Sequence, residues 1–596
     1  MPDRIITPPK AVDVFVVDEC QDLDEGLNQY IHCFIRDLET YQQRPLQLVF
    51  LGDPLQAIYG YRGGDARYLT MVSDIYPDRQ WGHFGLSVSH RLTEGVVDYM
   101  KQHITGMEKV KLVGSRRHHH AIRHDLHSVH DVVEEIIKLH DHFSVAYDDI
   151  IILANSTKLV QYNRPTTVGE LDQQLTLRRI PLFIAGDLAE SKLDLQRGKL
   201  RIMTFIRSKG LQCRHTFLVD YGTKKFRYEP QLPTSVFVAM TRATDTLYLV
   251  TPKGDQRPEF DRYQRPPAVQ MELKRKREEL ITDRADKAAK QPKTKKMLSV
   301  GQLLSHLPQR QMIDAFRSVN IRTVYEESYR INIRNQSTQE YNGIRLHEDV
   351  SAINGNAISM KLELACMGLI KTPNRRKWRE CFKHGKQAPV PSCFSCPSEI
   401  FEPRPEDRDN VETNRLILRL AHYATLKDQP HLLHQISSLN WLDSVEFNRC
   451  CRNGYALLKR LLAEEHGIAE PEAVLAKDTI FERPVNLETE SFKISGRLDM
   501  WIEPVQSMSR IVIELKSVSM LTPEHVLQTA LYKWITGATH AYCFNTLTGE
   551  IVEVTNPAPS IEATYAILNN KAQYLREMGN PEFIERNCFP SFVQAP

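Results

Sequence analysis

The chain has 596 residues, of which 41 % are hydrophobic and 25 % are charged, as in an ordinary soluble globular protein. At about 150 residues per domain, this length predicts three or four domains. The net charge of +3 is too small to indicate a nucleic-acid partner by itself. Eleven scattered cysteines favour a reducing compartment over a disulfide framework and argue against secretion. The sequence has no apolar run of about 18 residues, so no membrane partner is expected.

Two predicted strands near the start of the chain each run into polar residues. The first, residues 11–17, ends in Asp18-Glu19-Cys20-Gln21-Asp22, and the second, residues 46–51, runs into Gly52-Asp53. A strand that ends in two acids is the arrangement of a Walker B site, in which one carboxylate holds Mg²⁺ and the next polarises the attacking water. The pattern therefore predicts a nucleotide-hydrolysing site at Asp18 and Glu19.

Three blocks in this region resemble superfamily 1 helicases of the UvrD/RecB class, which carry DExQD, GDxxQxIYxFRGA and LxxNYR in this order. The blocks here are residues 18–22, 52–65 and 86–91. The resemblance implies a RecA-like lobe over residues 1–100 that binds ATP and Mg²⁺ and stacks on single-stranded DNA. Taken alone, Tyr59 and Tyr61 would be explained as a half-buried pair at a strand end. The implied ATP contacts are Gln56 and Arg91, and the implied DNA contacts are Tyr59, Tyr61 and Arg62.

The phosphate loop of these helicases, GxxxxGK[ST], is missing ahead of Asp18. Residues 1–17 contain no glycine and no lysine in such a loop. Without the loop nothing cradles the β- and γ-phosphates of a nucleotide, so this first lobe is expected to be incomplete. Three explanations stay open: a truncated sequence, a partner protein that supplies the missing half of the motor, or a remnant that does not hydrolyse ATP.

Residues 101–255 resemble the second RecA-like lobe of the same helicases. The segment from Thr204 to Gln212 is similar to the TxHxxKGLE block, and residues 236–243 are similar to YVAxTRA. The resemblance implies that Thr204 and Lys209 contact DNA, that Gln212 lies at the nucleotide and that Arg242 is an arginine finger. Ile206 replaces the His of the family and Gln212 replaces its Glu, which predicts weaker DNA coupling and nucleotide binding.

Residues 256–297 are rich in proline and charge and poor in apolar residues, which predicts an exposed basic linker. Its two basic clusters, residues 274–277 and 293–296, fit a nuclear import signal or a phosphate-binding tether. A plain charged linker explains them equally well. The clusters point to the nucleus or another DNA-containing compartment.

Two apolar runs near the end of the chain carry acidic and basic residues. Asp499 lies in SGRLDMWI, and Glu514 and Lys516 lie in RIVIELKS, with a polar segment between the runs. This pattern predicts a β-hairpin, on which Glu514 and Lys516 share one face that Asp499 can reach. Two carboxylates and an amine suit metal-assisted phosphodiester hydrolysis. An isolated ExK triplet, however, is more often a solvated strand face.

The same region resembles the PD-(D/E)xK nucleases of the RecB type. The matching pieces are Gly496-Arg-Leu-Asp499, Glu514-Leu-Lys516, Gln528-x-x-x-Tyr532 on a helical pattern, and upstream Gly343-Ile-Arg-Leu-His347. The resemblance implies an α/β nuclease domain over residues 298–596, with a helical insertion at about 348–480. It assigns Mg²⁺ or Mn²⁺ to His347, Asp499 and Glu514, the attacking water to Lys516, and the DNA strand to Gln528 and Tyr532.

The predicted insertion contains Cys381-Phe-Lys-His384 and Cys393-Phe-Ser-Cys396, in which each half has the spacing of zinc ligands. A structural Zn²⁺ bound by Cys381, His384, Cys393 and Cys396 is one interpretation. Free cysteines are the other.

Together these segments predict an α/β protein with an incomplete and a second RecA-like lobe, a linker and a nuclease domain. The predicted function is a DNA helicase–nuclease in DNA repair, recombination or replication. Its expected partner is DNA, either single-stranded or with single-stranded ends. The alternative is a catalytically silent scaffold that binds DNA or a partner protein through a remnant motor.

Overall fold

The computed structural model describes a mixed α/β protein. It describes residues 12–59, 64–103, 110–118, 121–161, 164–185, 193–220, 232–251, 296–300, 304, 315–371, 400–426, 428–439, 441–488, 492–505 and 509–556. Most of the predicted linker and the Cys381, His384, Cys393 and Cys396 set lie outside these residues. Within them, no helix is long and apolar enough to cross a membrane.

The first region is built around a parallel strand pair, β1 (Val14–Val17) and β2 (Gln47–Phe50), in which Val14 lies opposite Gln47. Asp24 caps the helix between them by accepting a 2.8 Å hydrogen bond from the Leu27 N–H group. The helices are α1 (Glu25–Gln42), α2 (Arg67–Thr70), α3 (Val72–Ile75) and α4 (Glu94–His103), and the parallel pair β3 (Val88–Thr93) and β4 (Val113–Arg116) completes the region.

The second region has a fully parallel sheet with helices packed against it. Every residue of β6 is buried, as expected for a parallel strand covered on both faces. The strand order is β5-β12-β11-β6-β10-β9. Its elements are β5 (Ile122–Arg123), α5 (Val129–Phe143), β6 (Ile150–Ala154), β7 (Val160–Gln161), β8 (Arg164–Pro165), α6 (Thr167–Leu177), β9 (Leu182–Ile184), α7 (Leu193–Gln196), β10 (Leu200–Thr204), β11 (Cys213–Leu218), α8 (Leu232–Met240) and β12 (Ala243–Leu249).

The third region begins with β13 and contains a mixed sheet and a largely helical segment. The sheet has the order β13-β20-β21-β22-β23-β14, and β19 pairs with β20 as well. The elements are β13 (Lys296–Ser299), β14 (Ile321–Tyr325), β15 (Gln336–Tyr341), β16 (Ile344–Asp349), α9 (Ser351–Met367), β17 (Ile370–Lys371), β18 (Ile400–Phe401), α10 (Val411–Leu426), α11 (Pro430–Gln435), α12 (Ser444–His466), α13 (Pro471–Lys477), β19 (Thr479–Glu488), β20 (Phe492–Ile502), β21 (Ile511–Lys516), α14 (Pro523–Thr536), β22 (His540–Asn545) and β23 (Ile551–Val554).

The second and third regions are joined by buried polar contacts. Gln435 of α11 binds both main-chain groups of Leu182 on β9, at 2.6 Å and 3.0 Å. The Lys199 ammonium lies 2.7 Å from the Glu348 carboxylate, and both side chains are almost fully buried. Gln435 thereby pairs with the main chain of one residue on the outermost strand of the parallel sheet.

Candidate active site

The predicted hairpin is formed by β20 and β21, with Met500 opposite Ile513. Ile511 and Ile513 of β21 pack into a core with Leu458 of α12, whereas Val512 packs with residues of α14. Because side chains alternate along a strand, Glu514 and Lys516 follow Val512 and face α14. The strand therefore carries a carboxylate and an ammonium toward the same helix.

Gln528 of α14 completes a closed set of contacts with these two residues. The Lys516 ammonium donates to Glu514 Oε1 at 2.9 Å and to Gln528 Oε1 at 3.0 Å. The Gln528 amide in turn donates to Glu514 Oε1 at 2.6 Å. The other carboxylate oxygen, Glu514 Oε2, is buried and has no hydrogen-bond partner among the described residues. One oxygen of this carboxylate is thus left for another ligand.

Asp499 approaches the same point from the neighbouring strand. Its Oδ2 accepts a 2.7 Å hydrogen bond from the Leu515 N–H group, between Glu514 and Lys516. Burial, and then the Glu514 carboxylate, raise the pKa of Asp499 well above its ordinary value. Burial also raises the pKa of Glu514, although Lys516 opposes the shift. Burial disfavours the Lys516 ammonium, but Glu514 and Asp499 outweigh it and raise the pKa of Lys516.

Glu482 is a further acid beside the β20–β21 hairpin. It lies on β19 between Phe481, which pairs with Met500, and Arg483, which pairs with Leu498, and is therefore across from Asp499. Its backbone is left-handed, with φ of 53°, which interrupts the ladder there. Burial, and then the Asp499 charge, raise the pKa of Glu482. No local sequence pattern marks such a bend.

The Tyr532 ring explains why the first residue of Gly496-Arg-Leu-Asp499 is a glycine. Tyr532 is buried, and its hydroxyl lies 3.4 Å from the Arg497 nitrogen. A Cβ atom on Gly496 would lie 2.6 Å from Tyr532 Cε1, so another residue there would displace the ring. The structure brings Asp499, Glu514, Lys516, Gln528 and Tyr532 together, as the resemblance implies.

His347 is not among the residues that these contacts join, and its expected role as a metal ligand stays a prediction. Among the described residues, no three His, Cys, Asp or Glu side chains are grouped as a metal site. His347 lies on β16, where its Nδ1 is 3.4 Å from Thr338 Oγ1. Asn342 and Gly343 have φ of 51° and 76° and form the two-residue turn between β15 and β16. The Gly343-x-x-x-His347 spacing reflects a hairpin turn and its following strand.

A divalent cation fits the residues that remain. Mg²⁺ is commonly bound by one or two carboxylates together with water and substrate phosphate oxygens, so a third protein acid is not required. Asp499 and Glu514 supply the two carboxylates, and burial raises the pKa of each, so a cation bound between them would favour their charged forms. Glu514 Oε2 is the buried oxygen without a partner.

Residues that the helicase resemblance assigns to nucleotide and DNA binding form a second polar cluster between the first two regions. Lys209 reaches Asp22, lies 3.3 Å from Glu19 Oε2 and donates to the Gln56 carbonyl at 3.0 Å. Its ammonium also lies 5.3 Å from the centre of the Tyr59 ring. Its side chain is only 8 % exposed. The structure therefore places Lys209 against acids of the first region, which balance its charge.

Arg91 and Arg242, the two arginines implied for the nucleotide site, lie close enough for Arg91 to affect the pKa of Arg242. Arg242 is buried and donates to the carbonyls of Val238 and Leu211 at 2.8 Å and 2.9 Å. Burial lowers the pKa of Arg242 to about 10, with Arg91 acting in the same direction. Burial also lowers the pKa of Arg91, against the charge of Asp53. Arg242 is thus held within its own region.

The other described residues that the helicase resemblance implies are exposed or partly exposed. Asp18 and Glu19 are exposed and line an open cleft of about 1630 Å³ beside β2. The Gln56 amide donates to Asp53 Oδ2 at 2.9 Å. Thr204 accepts a hydrogen bond from the Arg207 nitrogen, and Gln212 is exposed. Tyr61 and Arg62 lie outside the described residues.

No protein-family model and no curated protein matches this chain. Among solved structures, the C-terminal domain of a possible DNA helicase from Lactobacillus plantarum WCFS1 is 15 % identical, and the match covers 30 % of this chain and 94 % of that chain, with a TM-score of 0.22. The crystal structure of SSO0001 is 16 % identical over 26 % of this chain and 70 % of that chain, with a TM-score of 0.16. Both likenesses are too loose to decide the fold or the function.

Proposed function

We propose that the chain is a metal-dependent nuclease that cleaves DNA phosphodiester bonds at the β20–β21 hairpin. One observation carries the proposal: Asp499, Glu514, Lys516 and Gln528, which span 30 residues of sequence, meet in a single cluster. DNA as the substrate follows from the resemblance to RecB-type nucleases and UvrD/RecB helicases.

Each residue has a distinct part in the proposed reaction. Asp499 and Glu514 would hold Mg²⁺ or Mn²⁺, which supplies Lewis-acid activation of the water and the phosphate. The Lys516 ammonium contacts Glu514, so it lies where it can orient the attacking water and stabilise negative charge on the phosphate. Gln528 holds Glu514 and Lys516 at their present separation.

Cleavage of single-stranded DNA with Mg²⁺ or Mn²⁺ tests this function. The variants Asp499→Ala and Lys516→Ala should each lower the rate by about 10²-fold or more, as losses of transition-state stabilisation do. Lys459→Ala is the matched control, because Lys459 pairs with Glu472 on the surface of α12 and α13. If both site variants cut DNA as fast as the parent protein, the assignment is wrong.

A scaffold that binds DNA or a partner without cleavage is the second candidate. It is favoured by the cluster around Lys209, because Lys209 already pairs with Asp22 and with Glu19, which is one of the two acids implied for nucleotide hydrolysis. The same assay separates the two candidates. A scaffold would leave DNA uncut in the parent protein and would be unaffected by Asp499→Ala.

A further inference from the structure

Helix α14 begins with a capping box whose second member is unusual. The N-cap residue is Thr522, and the third helical residue, His525, closes the box with its side chain. His525 Nδ1 lies 3.0 Å from the Thr522 backbone nitrogen. In such boxes this place is typically taken by Glu or Gln, whose side-chain oxygen accepts from the N-cap N–H group.

This contact fixes the tautomer of the histidine. A backbone N–H group can only donate, so Nδ1 must be the acceptor and the proton of the neutral ring must lie on Nε2. Burial, and then the positive charge of Lys516, lower the pKa of His525 to about 4. At neutral pH the ring is therefore uncharged and carries one N–H donor that the cap does not use.

The His525 ring lies near the proposed site. His525 and Gln528 are three residues apart on α14 and so share one face of the helix. Gln528 contacts both Glu514 and Lys516, and Lys516 is close enough to His525 to change its pKa. The half-buried His525 ring thus lies one turn before Gln528, at the N-terminal end of α14.

We propose that His525 donates a hydrogen bond from Nε2 to a phosphate oxygen of the DNA strand bound next to Lys516. The inference rests on the proposed nuclease function and adds a substrate-contacting residue to it. A Glu or Gln at this place would cap α14 equally well, so capping does not by itself explain a histidine. Histidine retains the acceptor for Thr522 and supplies a donor for an anion.

Three variants separate the phosphate contact from the cap. His525→Glu keeps the acceptor for the Thr522 N–H group but removes the donor and adds a negative charge beside the phosphate. His525→Gln keeps an acceptor and a donor in one amide group. His525→Ala removes both. Steady-state cleavage of a single-stranded oligonucleotide is measured for each, together with the midpoint of thermal unfolding.

We expect His525→Glu to unfold at the temperature of the parent while its KM for DNA rises about tenfold or more, as the loss of a hydrogen bond to a charged group predicts. His525→Gln should retain a KM close to that of the parent. His525→Ala, which adds no charge, should raise the KM as well. A purely structural histidine predicts instead that His525→Ala lowers the unfolding midpoint but keeps the KM of the parent. That result would overturn the proposal.

Oligonucleotide binding with Ca²⁺, measured by fluorescence anisotropy, keeps this test independent of cleavage. If the parent protein does not cut DNA, the nuclease function fails. Weaker binding by His525→Glu, with parental binding by His525→Gln, would still support the phosphate contact. Equal affinity of all four proteins would refute the contact even if the parent is an active nuclease.

Discussion

Two carboxylates and one ammonium meet at the centre of the hairpin, so the charges of Asp499, Glu514 and Lys516 do not balance. Burial raises the pKa of both acids, and the Glu514 carboxylate raises that of Asp499 further. A carboxylate whose pKa is raised on folding binds its proton more tightly in the folded than in the unfolded state. Its contribution to stability is therefore most favourable at low pH and declines as the pH rises through the interval between the two pKa values.

Asp499→Asn should consequently stabilise the metal-free protein at neutral pH. The amide still accepts from the Leu515 N–H group but carries no charge to repel Glu514. The gain is about 1.4 kcal/mol for each unit by which the native pKa exceeds that of the unfolded chain. Thermal unfolding in EDTA should show a higher midpoint at about pH 8 and a smaller difference at about pH 4.

Asp428→Asn, at an exposed position, serves as the control for this measurement and should leave the midpoint unchanged. Cleavage by Asp499→Asn should be lost while its stability rises, because the unfavourable charge pair is what a divalent cation requires. A lower midpoint for Asp499→Asn in EDTA would contradict this account of the pair.

At the scale of elements, the β15–β16 hairpin sets the contacts of His347. Its side chain contacts Thr338, and its carbonyl accepts a 3.0 Å hydrogen bond from Lys199. His347→Ala preserves the carbonyl contact, so cleavage should stay within about twofold of the parent rate, as for a surface change. The DNA cleavage assay checks this directly. A loss of cleavage rate as large as that of Asp499→Ala would mean that His347 takes part in the active site.

The sequence predicts elements whose signal is local. The alternation around Glu514 and the spacing of Gln528 and Tyr532 correctly indicate β21 and α14. The helical insertion predicted at about residues 348–480 contains the helices α9 to α13. The Gly343-x-x-x-His347 spacing coincides with an Asn342-Gly343 turn signal, which by itself predicts the β15–β16 hairpin. The left-handed Glu482 has no such signal, since the strand around it is otherwise regular.

Contacts between distant segments are the least predictable feature. Gln435 and Leu182 are 253 positions apart, and neither residue is unusual in its own segment. The same holds for Lys209, whose partners Asp22 and Glu19 lie in another region. A single sequence carries no local pattern for such pairs, because each partner is chosen by how the regions pack.

At the scale of the whole molecule, the second and third regions share a buried network of charged and polar groups. Lys199 contacts Glu348 and the His347 carbonyl, and Gln435 donates to Glu348 Oε1 at 2.9 Å. Nearby, His431 Nδ1 lies 3.1 Å from Asp172 Oδ1. Burial lowers the pKa of Lys199, and Glu348 opposes that shift. The network makes the packing of the two regions depend on matched partners.

Removing one partner of the Lys199–Glu348 pair should therefore cost more than removing both. Glu348→Leu leaves a buried ammonium without its carboxylate, which typically costs about 3–5 kcal/mol, whereas replacement of a whole buried pair by apolar residues is often nearly neutral. Urea unfolding of Glu348→Leu, Lys199→Met and the double variant measures the three losses. We expect Lys199→Met with Glu348→Leu to be more stable than Glu348→Leu alone, because the second substitution removes the unpaired charge. Losses that simply add would mean that the pair is hydrated in solution and that the two regions do not hold each other through it.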